Sequence, residues 1–120
     1  MRLFHIVDRA GWAAATAAGE YAPAAFADDG FVHFSFDHQV ARVANARYRD
    51  GTDLVVVEVD PRGLDVVVED SYGAGEEFPH VYRPIPTSAA VAVHPLRRDD
   101  AGDWVFSPDG AGTGPASPDR

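Results

Sequence analysis

Apolar and polar positions along the chain change their spacing several times, and each change predicts an element. Residues 3–7 (LFHIV) are β-prone and stop at Asp8, which predicts a first strand. Asp8 is placed to cap a helix over about 9–18, where Trp12 and a run of alanines give strong helix propensity, and Gly19 ends it. Residues 21–30 read as a loop or short helical turn around Pro23, anchored by Phe26. Residues 31–36 (FVHFSF) alternate at period two, with Phe34 and Phe36 expected on the core side and His33 and Ser35 opposite. Asp37 then begins a helix over about 38–49, with Val40, Val43, Ala44 and Tyr48 at helical spacing.

Beyond Gly51 the pattern becomes mostly β. Residues 54–59 (LVVVEV) are nearly continuous β-branched sequence, as in a strand buried on both faces. A turn at 60–63 leads to a strand at 64–69, and residues 71–77 form a polar, Gly-rich loop. Residues 81–85 are an extended piece broken by prolines, 89–96 a strand, and 104–106 the far arm of an edge hairpin. From Ser107 onward Gly, Pro, Ser and Asp dominate, which predicts a disordered tail over 107–120 behind a single domain at 1–106. The order is strand, helix, strand, helix, then strands. It implies an α+β fold, two N-terminal helices against a mainly antiparallel twisted sheet.

At 120 residues the chain has room for one core, and its 46% apolar content suits a globular protein. The apolar runs are too short to span a bilayer, no signal-peptide pattern opens the chain, and cysteine is absent, so a cytoplasmic protein without disulfides is expected. The net charge of −9 argues against nucleic acid or an anionic membrane as partner. All ten basic residues are arginine, in keeping with a genome-wide codon bias.

Three histidines draw notice because each stands among apolar neighbours. Phe4 flanks His5; Phe31, Phe34 and Phe36 surround His33; Phe78 and Tyr82 surround His80. Imidazoles inside such walls suit an apolar pocket with a few orienting groups, and equally suit hydrogen-bonded residues at the edge of a core. His38 and His94 read as capping and structural. No histidine pair has metal-ligand spacing, so no metal site is expected. Glu76 and Glu77, beside Phe78-Pro79-His80, are either a solvated acidic loop or a carboxylate that stabilises a developing cation. No Walker-type loop, Gly-x-Ser-x-Gly or Gly-x-Gly-x-x-Gly motif occurs.

Several separated segments, in order, resemble the bacterial domain-of-unknown-function family 952. They are Leu3-Phe4-His5-Ile6, Trp12 with Gly19-Glu20-Tyr21, Asp29 to Ser35 with Gln39, Val57 to Pro61, and Glu77 to Tyr82, covering about residues 1–95. That family is distantly similar to the ADP-ribosyltransferase fold. The similarity implies NAD or a related nucleotide as ligand, with His5, His33 and Ser35 in the roles of ribose-binding groups. Glu77 would stabilise an oxocarbenium-like state, and His80 or Tyr82 would bind ligand or shuttle protons. Ile6 stands where many transferases carry glycine after the first histidine, and the arginines are scattered. Two functions follow: an enzyme acting on NAD or a related nucleotide, or a module binding a small metabolite without chemistry. A third is protein–protein contact through the hairpin near Trp104. The first requires Glu77 in the same cavity as His5 and Ser35.

Overall fold

The structure, a computed structural model, describes residues 1–109. Its centre is the strand Leu54–Val59 (β4), every residue of which is buried. β4 lies between β1 (Leu3–Asp8) and β8 (Ala90–Pro95), antiparallel to both. Period-two alternation sends Val55, Val57 and Val59 into one hydrophobic cluster and Leu54 and Val56 into another, which is why the segment reads as apolar throughout.

Each face is closed by different elements. On one side β3 (Val32–His33), β6 (Phe78–Val81) and β5 (Val67–Glu69) form a second antiparallel sheet in the order β3-β6-β5. Its Val32, Phe34 and Val81 join Leu3, Val7 and Val57 in the first cluster. On the other side helix α3 (Val40–Arg47) contributes Val40, Val43 and Ala44, packed with Phe4, Val56 and Trp104. Two short antiparallel pairs complete the domain, β2 (Glu20–Tyr21) with β7 (Ile85–Pro86) and β9 (Arg97–Arg98) with β10 (Trp104–Val105). The result is a small α+β domain with antiparallel sheets.

Helix α1 (Arg9–Ala18) begins and ends as its sequence predicts. The Asp8 carboxylate accepts a 2.7 Å hydrogen bond from the Gly11 amide, and the Gly19 amide donates to Ala15 from a left-handed φ of 87°. A Cβ at Gly11 would sit 2.4 Å from Asp8 Oδ1, so the cap and the missing side chain require one another.

Other expectations need correction. Three helical segments replace the two N-terminal helices, since a single turn, α2 (Phe26–Asp29), precedes β3. The expected strand at 31–36 regularly pairs with β6 only at Val32–His33. It then makes one bridge, Ser35 to Phe4, before the chain enters the 3₁₀ turn Asp37–Gln39. Phe36 therefore leaves the core and stacks on His38. Pro79 lies within β6 rather than in an irregular loop, and its carbonyl accepts from Phe34 at 2.9 Å. Trp104 is 5% exposed and donates from its indole to the Tyr48 carbonyl at 2.8 Å, so it closes the core and offers no interaction surface. Of the tail expected at 107–120, residues 110–120 lie outside the described residues; Asp109 accepts from Arg2. Among the described residues no helix is long and apolar enough to cross a membrane.

Candidate functional site

The two sheets approach at the open edge of β1. Phe4 and Ser35 exchange backbone hydrogen bonds of 2.9 and 2.7 Å there, and beyond this bridge the strands separate. The separation leaves a cleft of about 120 Å³, whose walls include His5, Phe31, His33, Ser35, Arg47 and Tyr72. Phe31, His33 and Ser35 are alternate residues, and the residues between them, Val32 and Phe34, enter the core. The alternation thus separates cleft from core, with Phe31 on the cleft side.

His33 and His80 are direct cross-strand partners of β3 and β6, and this register stacks them on one face. His33 Nδ1 lies 3.2 Å from His80 Nε2, and His80 Nδ1 lies 3.0 Å from Glu69 Oε2 on β5. His80 is fully buried and its ring stacks on Phe31 at 4.0 Å. Tyr82 also donates its hydroxyl to the same oxygen of Glu69. That bond, followed by the one from His80, holds the Glu69 carboxyl below the usual range and raises the Tyr82 phenol. Tyr72, in the loop after β5, packs edge-on against His33, and its hydroxyl is 3.2 Å from His33 Nδ1.

His5 is engaged on both sides. Its Nδ1 donates to the His33 carbonyl at 2.6 Å, and its Nε2 accepts from the Tyr21 hydroxyl at 2.7 Å. Burial pushes His5 down to about 4, against the opposing pull of the His33 carbonyl. Burial, reinforced by His80, His5 and Arg47, pushes His33 down to about 3. Both rings are neutral near pH 7.

The six residues singled out in the sequence therefore separate. His5, His33 and Ser35 line the cleft. His80 stands behind His33 with both nitrogens engaged, and Tyr82 is half exposed beyond Glu69. Glu77 is exposed and does not line the cleft; only its backbone carbonyl is held, by the buried amide of Gln39. The adjacent Glu76 is bound by Arg42 and Gln39, with Arg42 the chief cause of a carboxyl lowered to about 2. The sequence alternation pointed to His33 and Ser35. It could not reveal Glu69, eleven residues before His80, because their contact depends on β5–β6 pairing. Nor did it mark Arg47 or Tyr72.

Arg47, at the end of α3, has its guanidinium 5.1 Å from the Tyr72 ring centroid and lines the cleft. Arg2, Arg9, Arg42, Arg49 and Arg62 each pair with an Asp or Glu, whereas no such pair involves Arg47 among the described residues. Asp29 lines the same cleft and, like Arg47, is near enough to Tyr72 to act on its phenol. Among the described residues no three of His, Cys, Asp and Glu converge to hold a metal ion.

A fold built on a three-stranded and a second small antiparallel sheet, with a histidine-lined cleft between them, defines the class. The chain belongs to the family described as "Protein of unknown function (DUF952)", which it matches over residues 6–93. It is similar to protein CC0527 from Caulobacter crescentus. The crystal structure of that protein is 33% identical, with a TM-score of 0.78 over 88% of this chain and 94% of that one. Its solution structure is 35% identical, with a TM-score of 0.75 over 85% and 90% of the two chains. No curated protein matches the chain significantly.

Proposed function

We propose that the cleft binds a small anionic metabolite of nucleotide type, NAD or ADP-ribose included, as a binding module. The observation that carries this reading is Arg47. In a chain of net charge −9 it is a guanidinium on a cleft wall with no acidic partner among the described residues, over the ring of Tyr72 and in the same cleft as Phe31. A guanidinium presents a planar fork of donors that matches phosphate, and aromatic faces accept a base or pyridine ring. Ser35 adds a hydroxyl at the same wall.

The resemblance to the ADP-ribosyltransferase fold favours NAD among such ligands. Transfer chemistry of that kind is disfavoured by Glu77, whose side chain is exposed away from the cleft, and by His5, whose two ring nitrogens are already satisfied. Generic RNA or DNA fits poorly, since a polyanion meets an acidic surface around one arginine.

The test is thermal stability with NAD, ADP-ribose, AMP and pyrophosphate. A ligand at 100 times its Kd adds about 2.7 kcal/mol, enough to raise Tm by several degrees. Arg47→Ala should remove the response while the unliganded melting curve stays in place, because Arg47 is exposed. No shift with any of the four at millimolar concentration, or an undiminished shift in the variant, would remove the reading. Release of nicotinamide from NAD would replace the binding module with an enzyme.

A further inference from the structure

Among the described residues, one buried side-chain nitrogen or oxygen has no hydrogen-bond partner, and it is His33 Nε2. Its condition follows from the far end of the chain of groups behind it. The Glu69 carboxylate only accepts, so His80 carries its proton on Nδ1 and presents a bare Nε2. That nitrogen accepts from His33 Nδ1–H at 3.2 Å, which leaves His33 Nε2 as a buried lone pair on a residue that lines the cleft. Tyr72 does not alter the assignment, because its oxygen can share the same Nδ1 hydrogen. An orphaned buried acceptor is costly unless something else serves it.

We propose that His33 Nε2 is the proton acceptor for a hydroxyl group of the bound ligand, backed through His80 by the Glu69 carboxylate. The inference rests on the reading of the cleft as a ligand site. When the proton moves, the ligand O–H bond breaks and its electron pair stays on oxygen, while a new N–H bond forms at His33 Nε2. The Nδ1 proton of His33 passes to His80 Nε2, so His33 ends neutral in its other tautomer. The positive charge then resides on His80, against Glu69. His33 is the group that meets the ligand, and His80 and Glu69 position it.

The charged and titratable surroundings of His33 support this role. His80, Tyr72 and Arg47 face it, His5 is joined to its carbonyl, and Asp29 lines the same cleft. With burial, Arg47 helps to keep His33 neutral, so its lone pair is present throughout the neutral range. An anion bound at Arg47 would offset that cation and increase the proton affinity of His33 as the ligand arrives.

Carbethoxylation by diethyl pyrocarbonate tests the lone pair without any ligand, because the reagent attacks unprotonated imidazole nitrogen. The whole chain is treated at pH 7 and each histidine followed by mass spectrometry, with the exposed His38 as internal reference. His33 should be modified in the parent protein through the openings of the cleft that uncover Nε2, more slowly than the exposed His38. Glu69→Gln keeps an acceptor for His80 but removes the charge, and should slow His33 by about tenfold, the equivalent of one pKa unit of lost basicity. Tyr82→Phe removes a competing donor from Glu69 and should speed it. An unreactive His33 in the folded protein, an equal rate in Glu69→Gln, or an unchanged or slower rate in Tyr82→Phe would overturn the proposal. If Glu69→Gln fails to fold, the Tyr82→Phe arm decides. Absence of ligand-induced stabilisation would affect only the binding reading, so the two failures are distinguishable.

Discussion

Two carboxylate–histidine networks, one on the central strand and one at the edge of the second sheet, end differently. Glu58, on the central strand, receives Arg2 Nε on one oxygen at 2.8 Å, and on the other Arg2 NH2 at 3.1 Å and His94 Nε2 at 2.8 Å. Both oxygens are occupied, and Phe4 and Phe106 pack against the His94 ring. Glu69 receives Tyr82 and His80 on a single oxygen, with the Ser71 hydroxyl also bonded to its carboxyl, and the chain it begins runs through His33 to a nitrogen with no partner. The first network is closed and ties termini and strands together. The second is open at one end, a buried nitrogen of a residue that lines the cleft. A histidine–carboxylate pair is structural or available for chemistry according to where its hydrogen bonds stop, not according to its composition.

The largest effect that sharpens this contrast is expected from His80→Ala. The sequence placed His80 on the ligand, which predicts lost affinity with little change in melting. In the structure the ring is fully buried, stacked on Phe31 and bonded at both nitrogens. Its removal leaves a cavity and takes one hydrogen bond each from His33 and Glu69, so a loss of about 2–4 kcal/mol is expected in urea unfolding. A variant as stable as the parent would place His80 outside the buried network and break the chain to Glu69.

This reversal shows what the sequence made legible. Local pattern was sufficient for β4, whose unbroken apolar run is buried on both faces, and for α1, whose cap and stop are single residues. Period-two alternation was sufficient to group His33 with Ser35. It misassigned Phe36 because the strand ends early, at the Phe4–Ser35 bridge, and nothing in the six residues signals that stop. Phe78-Pro79-His80 fell between the expected loop at 71–77 and the extended piece at 81–85, since proline is disfavoured inside strands, and tertiary pairing overrode that preference. Glu69 and Arg47 were invisible for a different reason. A carboxylate at a strand end and an arginine at a helix end are ordinary on a surface, and only non-local packing brings them to the site.

An intermediate effect comes from changing the same atom in each network. In Glu58→Gln one amide group must replace a carboxylate whose two oxygens both accept from donors, so an N–H faces an N–H at a position only 9% exposed. Leaving a buried donor unpaired costs about 1–3 kcal/mol. In Glu69→Gln the amide oxygen can take the Tyr82 and His80 hydrogen bonds while the NH₂ turns to solvent or donates to the Ser71 oxygen, so the melting curve should stay in place. Differential scanning calorimetry of the two variants side by side makes the comparison. Equal losses would mean that the second Glu69 oxygen is also engaged, and the distinction between closed and open networks would fall.

The smallest difference between variants is expected in the dependence on pH, which separates the two regions by where it occurs. The fold holds His5 at about 4 and His33 at about 3, against an ordinary 6.5. Between those values the unfolded chain binds protons that the folded chain refuses, so stability falls as pH drops below 6.5, by at most about 1.4 kcal/mol per pH unit for each ring. The Glu58 carboxyl is lowered from 4.5, chiefly by Arg2. Its contribution has the depressed-carboxylate sign: present above 4.5 and lost only as pH falls through the folded value. Acid should therefore weaken the cleft side first, between 6.5 and 4.5, and the Glu58 side only below that. His5→Gln, whose amide N–H can still reach the His33 carbonyl, should flatten the upper part of the curve and leave the lower part unchanged. Urea unfolding from pH 7 to pH 4 reads the slope directly. A parent protein whose stability is level down to pH 4.5 would show that His5 and His33 protonate freely in the folded state.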